Sequence, residues 1–378
     1  MLDSKQYVEL RKEAMVNAGY DEAYIKRELG SDTINTNWQD EVFRYGYTQN
    51  YELSSSGGSE KTNFYISGSY KNDKGIVINT GLERLTGRLN LTHKANDKLT
   101  IGAKVTAAST KQHIPHDQMS NSNEVMGAYL LAPNIPVMKN DTSYYFDDNK
   151  YNVVGISNLD EMSNLTNRFM GNLSLDYKIT KKLTFKTVNS IDYIVFKQDQ
   201  YINPLTPDGA SKNGVRVKAT SLENTMSTSN TLTYDTKLKD IHSINVVVGY
   251  EVQDSKNDST VIATNNFPTQ EISVLSTGGN LERLRTPPSD WGIISYLSNF
   301  QYNLKSKYYV SFSFRRDGSS RFSSDNKWAN FWSTGLSWRI SEESFMKNFK
   351  KINSLRLHAS YGTSGNSEIG NYASMYFF

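Results

Sequence analysis

Two histidines, His113 and His116, lie three residues apart in the segment HIPH. That spacing suits a transition metal, but a competent site needs three or four convergent ligands. No third ligand is evident beside the pair, and the chain contains no cysteine. We therefore interpret both residues as surface histidines of a long loop. The lack of cysteine also excludes disulfides and thiol nucleophiles.

Carboxylates occur in clusters that are poorly suited to catalysis. Asp147 and Asp148, like Glu342 and Glu343, are adjacent, so in an extended chain their side chains point apart and cannot act on one bond. The segment 254–258, DSKND, lacks the glycine and the final glutamate of a calcium loop, and we interpret it as a solvated acidic loop. Neither a phosphate-binding glycine loop nor a nucleophile elbow is present. We predict no catalytic, metal or cofactor site, and a protein that is not an enzyme.

Composition narrows the class of protein. The 378 residues include 42 Lys and Arg against 39 Asp and Glu, so the formal charge is +3 and no nucleic-acid partner is expected. Aromatic residues make up 12% of an otherwise polar chain, and tyrosine leads them with 24 copies. This composition is typical of a membrane barrel with aromatic girdles. No apolar run approaches the length of about 18 residues that a membrane helix needs, and the first residues carry scattered charges instead of the apolar core of a secretory signal.

From about residue 43 onward, apolar and polar residues alternate with a period of two. In the segment 307–316, for example, Tyr308, Val310 and Phe312 alternate with Ser311 and Ser313. Most such segments reach the length of about 9 to 11 residues that a tilted strand needs to cross a membrane. The predicted strands number about twelve and lie near 43–54, 61–70, 82–93, 98–109, 167–178, 182–193, 228–238, 242–253, 292–304, 307–316, 330–340 and 353–361.

The connections between these strands alternate between short and long. The four residues KAND are followed by the long connection 110–166, and further long connections are expected after 194 and after 254. This alternation predicts an antiparallel up-and-down transmembrane β-barrel with tight turns at one rim and long loops at the other. The charged strand residues keep to one face, which predicts a polar interior; they are Arg88, Lys104, Asp176, Lys186, Glu251, Arg315, Arg339 and Arg356.

The beginning of the chain has a helical period instead. Tyr7, Leu10 and Ala14 fall on one face, Asp3 or Ser4 can cap the start, and Gly19 can end the helix. Residues 1–40 are therefore expected to form a short helical and loop lead-in segment.

Four long stretches carry a resemblance to a known family: TNWQDEVFRYGYTQNYELSSSGGSEKTNFYISGSYKNDKGIV, ERLTGRLNLTHKANDKLTIGAKV, RRDGSSRFSSDNKWANFWSTGLSWRISEESFMKN and INSLRLHASYGTSGNSEIGNYAS. With these the chain resembles the SusC/RagA-type TonB-dependent outer-membrane receptors. The resemblance implies a barrel of about 22 strands in the outer membrane of a Gram-negative cell, closed by an N-terminal plug domain and driven by the TonB complex. It also implies a SusD-like surface lipoprotein as a lid, and oligosaccharides or peptides as cargo.

The chain contains fewer elements than the family pattern implies. About twelve strands are readable, and no plug-like sequence precedes Trp38. We expect an internal fragment, in which residues 41–378 are part of one barrel domain that lacks the plug and the C-terminal strands.

Aromatic residues and the family motif supply the candidate site residues. Trp328, Phe331 and Trp332 are expected where a strand meets a loop and Trp338 near the opposite rim, as an aromatic girdle. RRDGSSRF is interpreted as a turn in which Asp317 and Gly318 supply the turn chemistry and two arginines bridge carboxylates. The residues given this structural role are Arg316, Asp317, Gly318, Arg321, Phe322, Trp328, Trp332 and Trp338. Candidates for contact with cargo or lid, although loop packing explains them equally well, are Tyr144, Tyr145, Phe146 and Tyr151.

Two functions of different classes follow. The first is active import, in which the segment forms the wall and outer loops of a TonB-dependent nutrient importer that works with a SusD-like lipoprotein. The alternative is a passive outer-membrane pore or a surface-displayed adhesion barrel. Import demands a plug domain and a TonB-contacting segment, whereas a pore or an adhesin needs neither.

Overall fold

The computed structural model describes residues 2–117, 120–147, 150–269, 272–287, 289–346, 349 and 351–372. Antiparallel strands account for most of it. The strands are β1 Tyr47–Gly58, β2 Thr62–Lys74, β3 Gly81–Lys94, β4 Leu99–His113, β5 Met138–Asn140, β6 Ser143–Tyr144, β7 Glu161–Lys178, β8 Leu183–Ile202, β9 Val215–Leu238, β10 His242–Asn265, β11 Asn280–Arg285, β12 Trp291–Leu304, β13 Tyr308–Ser319, β14 Trp328–Arg339 and β15 Arg356–Gly362. The helices are α1 Ser4–Asn17, α2 Glu22–Leu29, α3 Trp38–Val42, α4 Glu124–Leu130, α5 Val153–Leu159 and α6 Pro207–Ala210.

Twelve strands form one continuous sheet in chain order. Each pairs antiparallel with the next in the order β1-β2-β3-β4-β7-β8-β9-β10-β12-β13-β14-β15, and β11 adds to the end of β10. The short strands β5 and β6 form a separate hairpin. Within the described residues the sheet is open, with β1 and β15 as its edges. The predicted all-β, up-and-down architecture is confirmed, and each of the twelve predicted strands overlaps one strand of this path.

The register of the sheet separates an apolar face from a polar face. Cross-strand neighbours Val248, Ser298, Phe314 and Trp332 form one row of the apolar face. Large side chains on this face are exposed, for example Leu53 at 82%. Because successive side chains along a strand point to opposite faces, the residues between these rows carry the polar side chains of the other face. All eight charged residues assigned above to one face lie on this polar face.

The central strands are longer than predicted. β9 and β10 each contain 24 residues, which at about 3.3 Å per residue is roughly 80 Å of chain. Along β10 the apolar face carries valine and tyrosine up to Val252 and then turns polar at Asp254 and Lys256. The interpretation of 254–258 as an acidic loop is therefore wrong, since these residues continue the strand and pair with β9. The connections after 194 and 254 are correspondingly shorter than expected.

The two ends of the sheet differ. At one end, here called the turn rim, lie the connections 59–61, 95–98, 179–182, 239–241, 305–307 and 340–355. At the other end, called the loop rim, lie 75–80, 114–160, 203–214, 266–290 and 320–327. Residues 2–46 belong to the loop rim as well, because β1 begins there beside Lys74. The predicted alternation of short and long connections holds from 95 to 327, whereas 75–80 is short for the loop rim and 340–355 is long for the turn rim.

A compact apolar core lies at the loop rim. Trp38 and Val42 of α3 pack with Ala128 of α4 and with Val153 and Val154 of α5, and all five are buried. The Trp38 indole nitrogen donates a hydrogen bond to the Ala132 carbonyl (3.0 Å).

The 110–166 connection, predicted to be one long loop, contains the end of β4, the folded elements α4, β5, β6 and α5, and the start of β7. At Gly127 any Cβ would lie 2.2 Å from the Val153 side chain, so the contact between α4 and α5 requires glycine. Local sequence patterns did not reveal this unit, because its core residues come from segments far apart in the chain.

The helices α1 and α2 lie near the beginning of the chain. Asp3 caps α1 by accepting a hydrogen bond from the Gln6 amide, and the Gln6 side chain accepts one in return from the Asp3 amide. Gly19 follows the helix with a positive φ of 79°. No helix in the described ranges has the length and apolarity needed to span a membrane.

Candidate functional site

The loop rim is organised around a buried histidine. His116 is 8% exposed, and its two ring nitrogens lie 3.0 Å from Glu124 Oε1 and 3.1 Å from Asp160 Oδ2. The His116 amide donates to Glu124 Oε2 (3.1 Å). Asp160 in turn accepts a hydrogen bond from the Asn203 amide at the end of β8 (2.7 Å). The surface interpretation of His116 is therefore wrong, whereas His113 is exposed at the end of β4.

The two carboxylates determine the charge of His116. Burial on its own lowers the pKa of the imidazole, but the hydrogen bonds to Asp160 and Glu124 outweigh it and raise the pKa to about 9. His116 is therefore a cation at neutral pH and forms ion pairs with both carboxylates. Both ring nitrogens already have hydrogen-bond partners. Within the described residues, no group of three or more His, Cys, Asp or Glu side chains is arranged to hold a metal. The arrangement fixes loops and leaves no nitrogen available for chemistry.

A second carboxylate joins the same two loops. Asp208, in α6, accepts hydrogen bonds from the Tyr151 hydroxyl (2.9 Å) and from the Ser122 hydroxyl. The bond to Asp208 raises the pKa of Tyr151, so the phenol stays protonated and keeps donating. The 114–160 and 203–214 connections are thus tied at two separate points.

Further hydrogen bonds extend this contact along the loop rim. Asn79 donates to the Ser157 carbonyl (2.8 Å), which ties the 75–80 connection to α5. On the other side, the Asn266 amide donates to the Lys212 carbonyl (2.9 Å). Asn371 donates to the Ser289 hydroxyl of the 266–290 connection (2.6 Å) and accepts a hydrogen bond from Arg321 (2.7 Å). Successive loops therefore contact one another from residue 75 to residue 371 and form one surface.

The four candidates for cargo or lid contact lie in this surface and are half-buried. Tyr144 and Phe146 pack against α5, where a Cβ on Gly155 would lie 2.8 Å from either side chain. Tyr145 directly follows β6, and its amide donates a hydrogen bond to the Val137 carbonyl (3.1 Å). Tyr151 holds Asp208, as described above. Tyr144 and Phe146 thus pack on α5, whereas Tyr145 and Tyr151 are held by hydrogen bonds to Val137 and Asp208.

The segment RRDGSSRF is not a turn at its start. β13 continues through Asp317 and Gly318 to Ser319, and both residues pair with β14. Strand alternation then places Arg315 and Asp317 on the polar face and Arg316 on the apolar face. The arginine that bridges carboxylates is Arg315, which donates hydrogen bonds to Asp317 (2.7 Å) and Glu251 (2.8 Å).

The two arginines assigned to bridging have other partners. The Arg316 guanidinium lies over the Trp328 ring, 5.2 Å from its centroid. Arg321 binds Asn371 and lies over the Trp291 ring at 4.5 Å. Phe322 is half-buried in the 320–327 connection.

The tryptophans of β14 lie on its apolar face. Trp328 is the first residue of the strand and Trp338 is next to its last, so the two mark opposite ends. Trp332 lies four residues inside the strand, against Tyr361 (ring centroids 5.7 Å apart). Phe331 lies on the polar face, contrary to its assignment to the aromatic girdle.

Ion pairs cover the central part of the polar face. Arg168 contacts Asp192 (2.8 Å) across β7 and β8, and Lys186 contacts Asp176 (3.3 Å). Beside Arg315 a hollow of about 360 Å³ is lined mainly by serine, threonine and glutamine side chains, most of them from β8 to β13. This lining is hydrophilic, which suits polar solutes better than apolar ones.

Sequence reasoning missed the His116 cluster for an identifiable reason. Its acidic partners lie 8 and 44 residues away, and no local spacing marks a contact across two connections. The available signal was His116 itself, which lies beside a proline in an otherwise polar segment.

Comparison with known proteins gives a consistent picture. No model of a protein family matches the chain. It is 29% identical over 99% of its length to TonB-dependent receptor P3 of Formosa agariphila, of which it covers 37%. It is also 26% identical over 92% of its length to TonB-dependent receptor SusC of Bacteroides thetaiotaomicron, of which it covers 36%. The chain thus spans little more than a third of these curated relatives.

Among solved structures, the fold matches a chain of the RagAB peptide transporter with a TM-score of 0.85 at 21% identity, over 98% of this chain and 46% of that one. These relatives carry the names of receptors and transporters, not of enzymes. The resemblance inferred from sequence is confirmed: the chain is similar, in sequence and in fold, to the barrel of SusC/RagA-type TonB-dependent receptors.

Proposed function

We propose that this chain forms part of the wall and the outer loops of an outer-membrane importer that takes up large hydrophilic nutrients. The observation that carries the proposal is the sheet itself, in which an exposed apolar face and a polar face extend across twelve consecutive strands. A Lys or Arg that faces lipid at the middle of the bilayer costs about 2–4 kcal/mol. The apolar face of the central strands carries no Lys or Arg between its girdle positions.

The lengths of the strands support a location in the outer membrane. On β10 the apolar stretch from His242 to Val252 contains 11 residues, which matches the about 9 to 11 needed to cross a bilayer with tilt. The segment that follows, polar on both faces from Gln253 to Thr260, projects beyond the lipid at the loop rim. Long loops of a membrane barrel face the cell exterior, so the loop rim is the outer one.

The partners follow from the relatives. The resemblance to SusC and to the RagAB transporter supports a SusD-like lipoprotein at the loop rim and energy coupling through TonB. The contiguous loop surface, with Tyr144, Tyr145, Phe146 and Tyr151 at its centre, is where we place contact with the lid or with cargo. The cargo is an oligosaccharide or a peptide, and the polar lining beside Arg315 suits either.

The domain organisation is proposed on the same grounds. Residues 1–40 form a lead-in segment at the loop rim, and residues 41–378 form part of one barrel domain. The plug and about ten further strands complete the roughly 22 of such transporters. The motif residues Arg316, Asp317, Gly318, Arg321, Phe322, Trp328, Trp332 and Trp338 have structural roles at the β13–β14 end of the sheet.

The experiment compares the uptake of fluorescent oligosaccharides and peptides by cells that carry the complete receptor and by cells without it. An importer loses uptake when the proton-motive force is collapsed, whereas a passive pore continues to conduct. Uptake that depends on the receptor and on the proton-motive force supports the proposal. Uptake that persists after the collapse would overturn it in favour of the pore.

A further inference from the structure

Two cations on adjacent strands of the polar face have neither an ion pair nor a hydrogen bond within the described residues. Arg88 of β3 and Lys104 of β4 are exposed, and neither takes part in an ion pair or hydrogen bond with the part of the chain that the structure describes. By contrast, Arg168, Lys186 and Arg315 on the neighbouring polar wall each contact a carboxylate. The polar face is therefore neutralised along β7 to β13 and positively charged on β3 and β4.

The register brings the two unpaired cations together. Arg88 pairs with Thr106, and Lys104 pairs with Asn90, so Arg88 and Lys104 are diagonal neighbours. Diagonal neighbours in an antiparallel pair lie roughly 7–8 Å apart. Like charges at this separation repel each other, and a bound anion between them removes the repulsion.

The groups around these cations are those that bind sugars. The cross-strand row at Lys104 contains Tyr65, Asn90 and Asn172. Asn172 donates to the Ser190 hydroxyl (2.9 Å), which fixes its amide. Amides and hydroxyls exchange hydrogen bonds with sugar hydroxyls, and a tyrosine ring offers a flat apolar surface to a sugar ring. A third cation, Arg84, lies four residues nearer the loop rim on the same strand and donates to Thr110 (3.1 Å).

We propose that Arg88 and Lys104, with Asn90 and Tyr65 beside them, bind the acidic groups of an anionic oligosaccharide as it passes along the wall of the barrel. This inference rests on the import function proposed above and assigns its cargo to carboxylate- or sulfate-bearing glycans. Arg84 extends the site toward the loop rim, so a chain with repeated charges meets the cations in succession. Charge-assisted hydrogen bonds to guanidinium and ammonium groups provide the selectivity for anions.

The test is equilibrium binding to the complete receptor, purified in detergent, with two fluorescent probes of equal length: an oligogalacturonate, which is anionic, and a maltooligosaccharide, which is neutral. We expect the wild-type receptor to bind the oligogalacturonate more tightly. The double variant Arg88→Gln/Lys104→Gln should weaken that binding about tenfold, since it removes two charge-assisted contacts that water partly screens. Binding of the neutral probe should stay unchanged.

A matched control removes the same charge from the other face. Lys197 and Lys256 lie on the outward face of β8 and β10, beyond the apolar stretch, and Lys197→Gln/Lys256→Gln should leave both affinities unchanged. The charge reversal Arg88→Glu/Lys104→Glu should transfer the preference to a cationic chitosan oligomer, an outcome that a merely structural role does not produce.

Equal affinities of the wild type and the double variant for oligogalacturonate, or no measurable binding of it to the wild type, would overturn the inference. Because binding is measured without transport, it fails separately from the proposed function: a receptor that binds the anionic probe but imports nothing contradicts import alone.

Discussion

At the scale of single residues, His116 gives the clearest prediction. Its pKa, raised to about 9, lies above the ordinary value near 6.5 that it has in the unfolded chain. The stabilisation by its ion pairs is therefore complete below about pH 6.5 and is lost as the pH rises through 9. Proteolysis of the 114–160 connection in the complete receptor should be slow at pH 7 and faster at pH 10.

Substitution of the same residue tests the cause. His116→Asn leaves Glu124 and Asp160 buried without a cation, which costs about 3–5 kcal/mol, so the connection should be cleaved rapidly at pH 7 as well. His113→Gln changes an exposed histidine three residues away and serves as the control. Equal cleavage of the wild type at both pH values would show that the ion pairs do not hold this loop.

Tyr151 separates loop packing from contact with cargo. Tyr151→Phe keeps the ring and removes the hydrogen bond to Asp208, which should weaken the protection of α6 in hydrogen exchange by about 1 kcal/mol. Ser122→Ala removes the other donor to Asp208 and provides a matched comparison. If Tyr151→Phe lowers uptake while the exchange of α6 stays unchanged, the hydroxyl serves cargo or lid and not the loop.

At the scale of elements, the faces of β13 predict opposite responses to the same substitution. Phe312→Arg places a cation on the apolar face and should destabilise the inserted barrel by about 2–4 kcal/mol, seen as a lower amount of receptor in isolated outer membranes. Ser311→Arg, one residue earlier on the polar face, should insert at the normal level. Equal insertion of both variants would mean that the two faces meet the same solvent.

The elements also show what a single sequence can reveal. Strands such as β13 were predictable because Tyr308 to Phe314 alternate strictly with polar residues. The upper halves of β9 and β10 were not, because their apolar residues no longer keep to one face: Gln253 to Thr260 are all polar, and Val215 of β9 lies on the polar face. The same holds for the candidate site. The alternation of residues predicted the charged face of the sheet, whereas the His116 cluster depends on contacts between distant loops that no local pattern marks.

At the scale of the whole molecule, the open sheet predicts how residues 1–378 behave alone. β1 and β15 are edges, and unpaired backbone groups cost several kcal/mol each in an apolar environment. The isolated segment, refolded in detergent, should therefore show no heat-modifiable band on a gel. A heat-modifiable band would mean that these strands close into a small barrel without further partners.

The central claim is that one face of the sheet meets lipid and the other meets the interior of a barrel. A single cysteine is introduced at each position from Val310 to Arg315 of the complete receptor in outer membranes and spin-labelled. This chain has no cysteine, and any cysteine elsewhere in the receptor is first replaced by serine. Accessibility to oxygen, which concentrates in lipid, should be high at Val310, Phe312 and Phe314, and accessibility to a water-soluble nickel complex should be high at the three alternate positions. High nickel accessibility at all six positions would contradict the claim and identify a sheet that is in water on both sides.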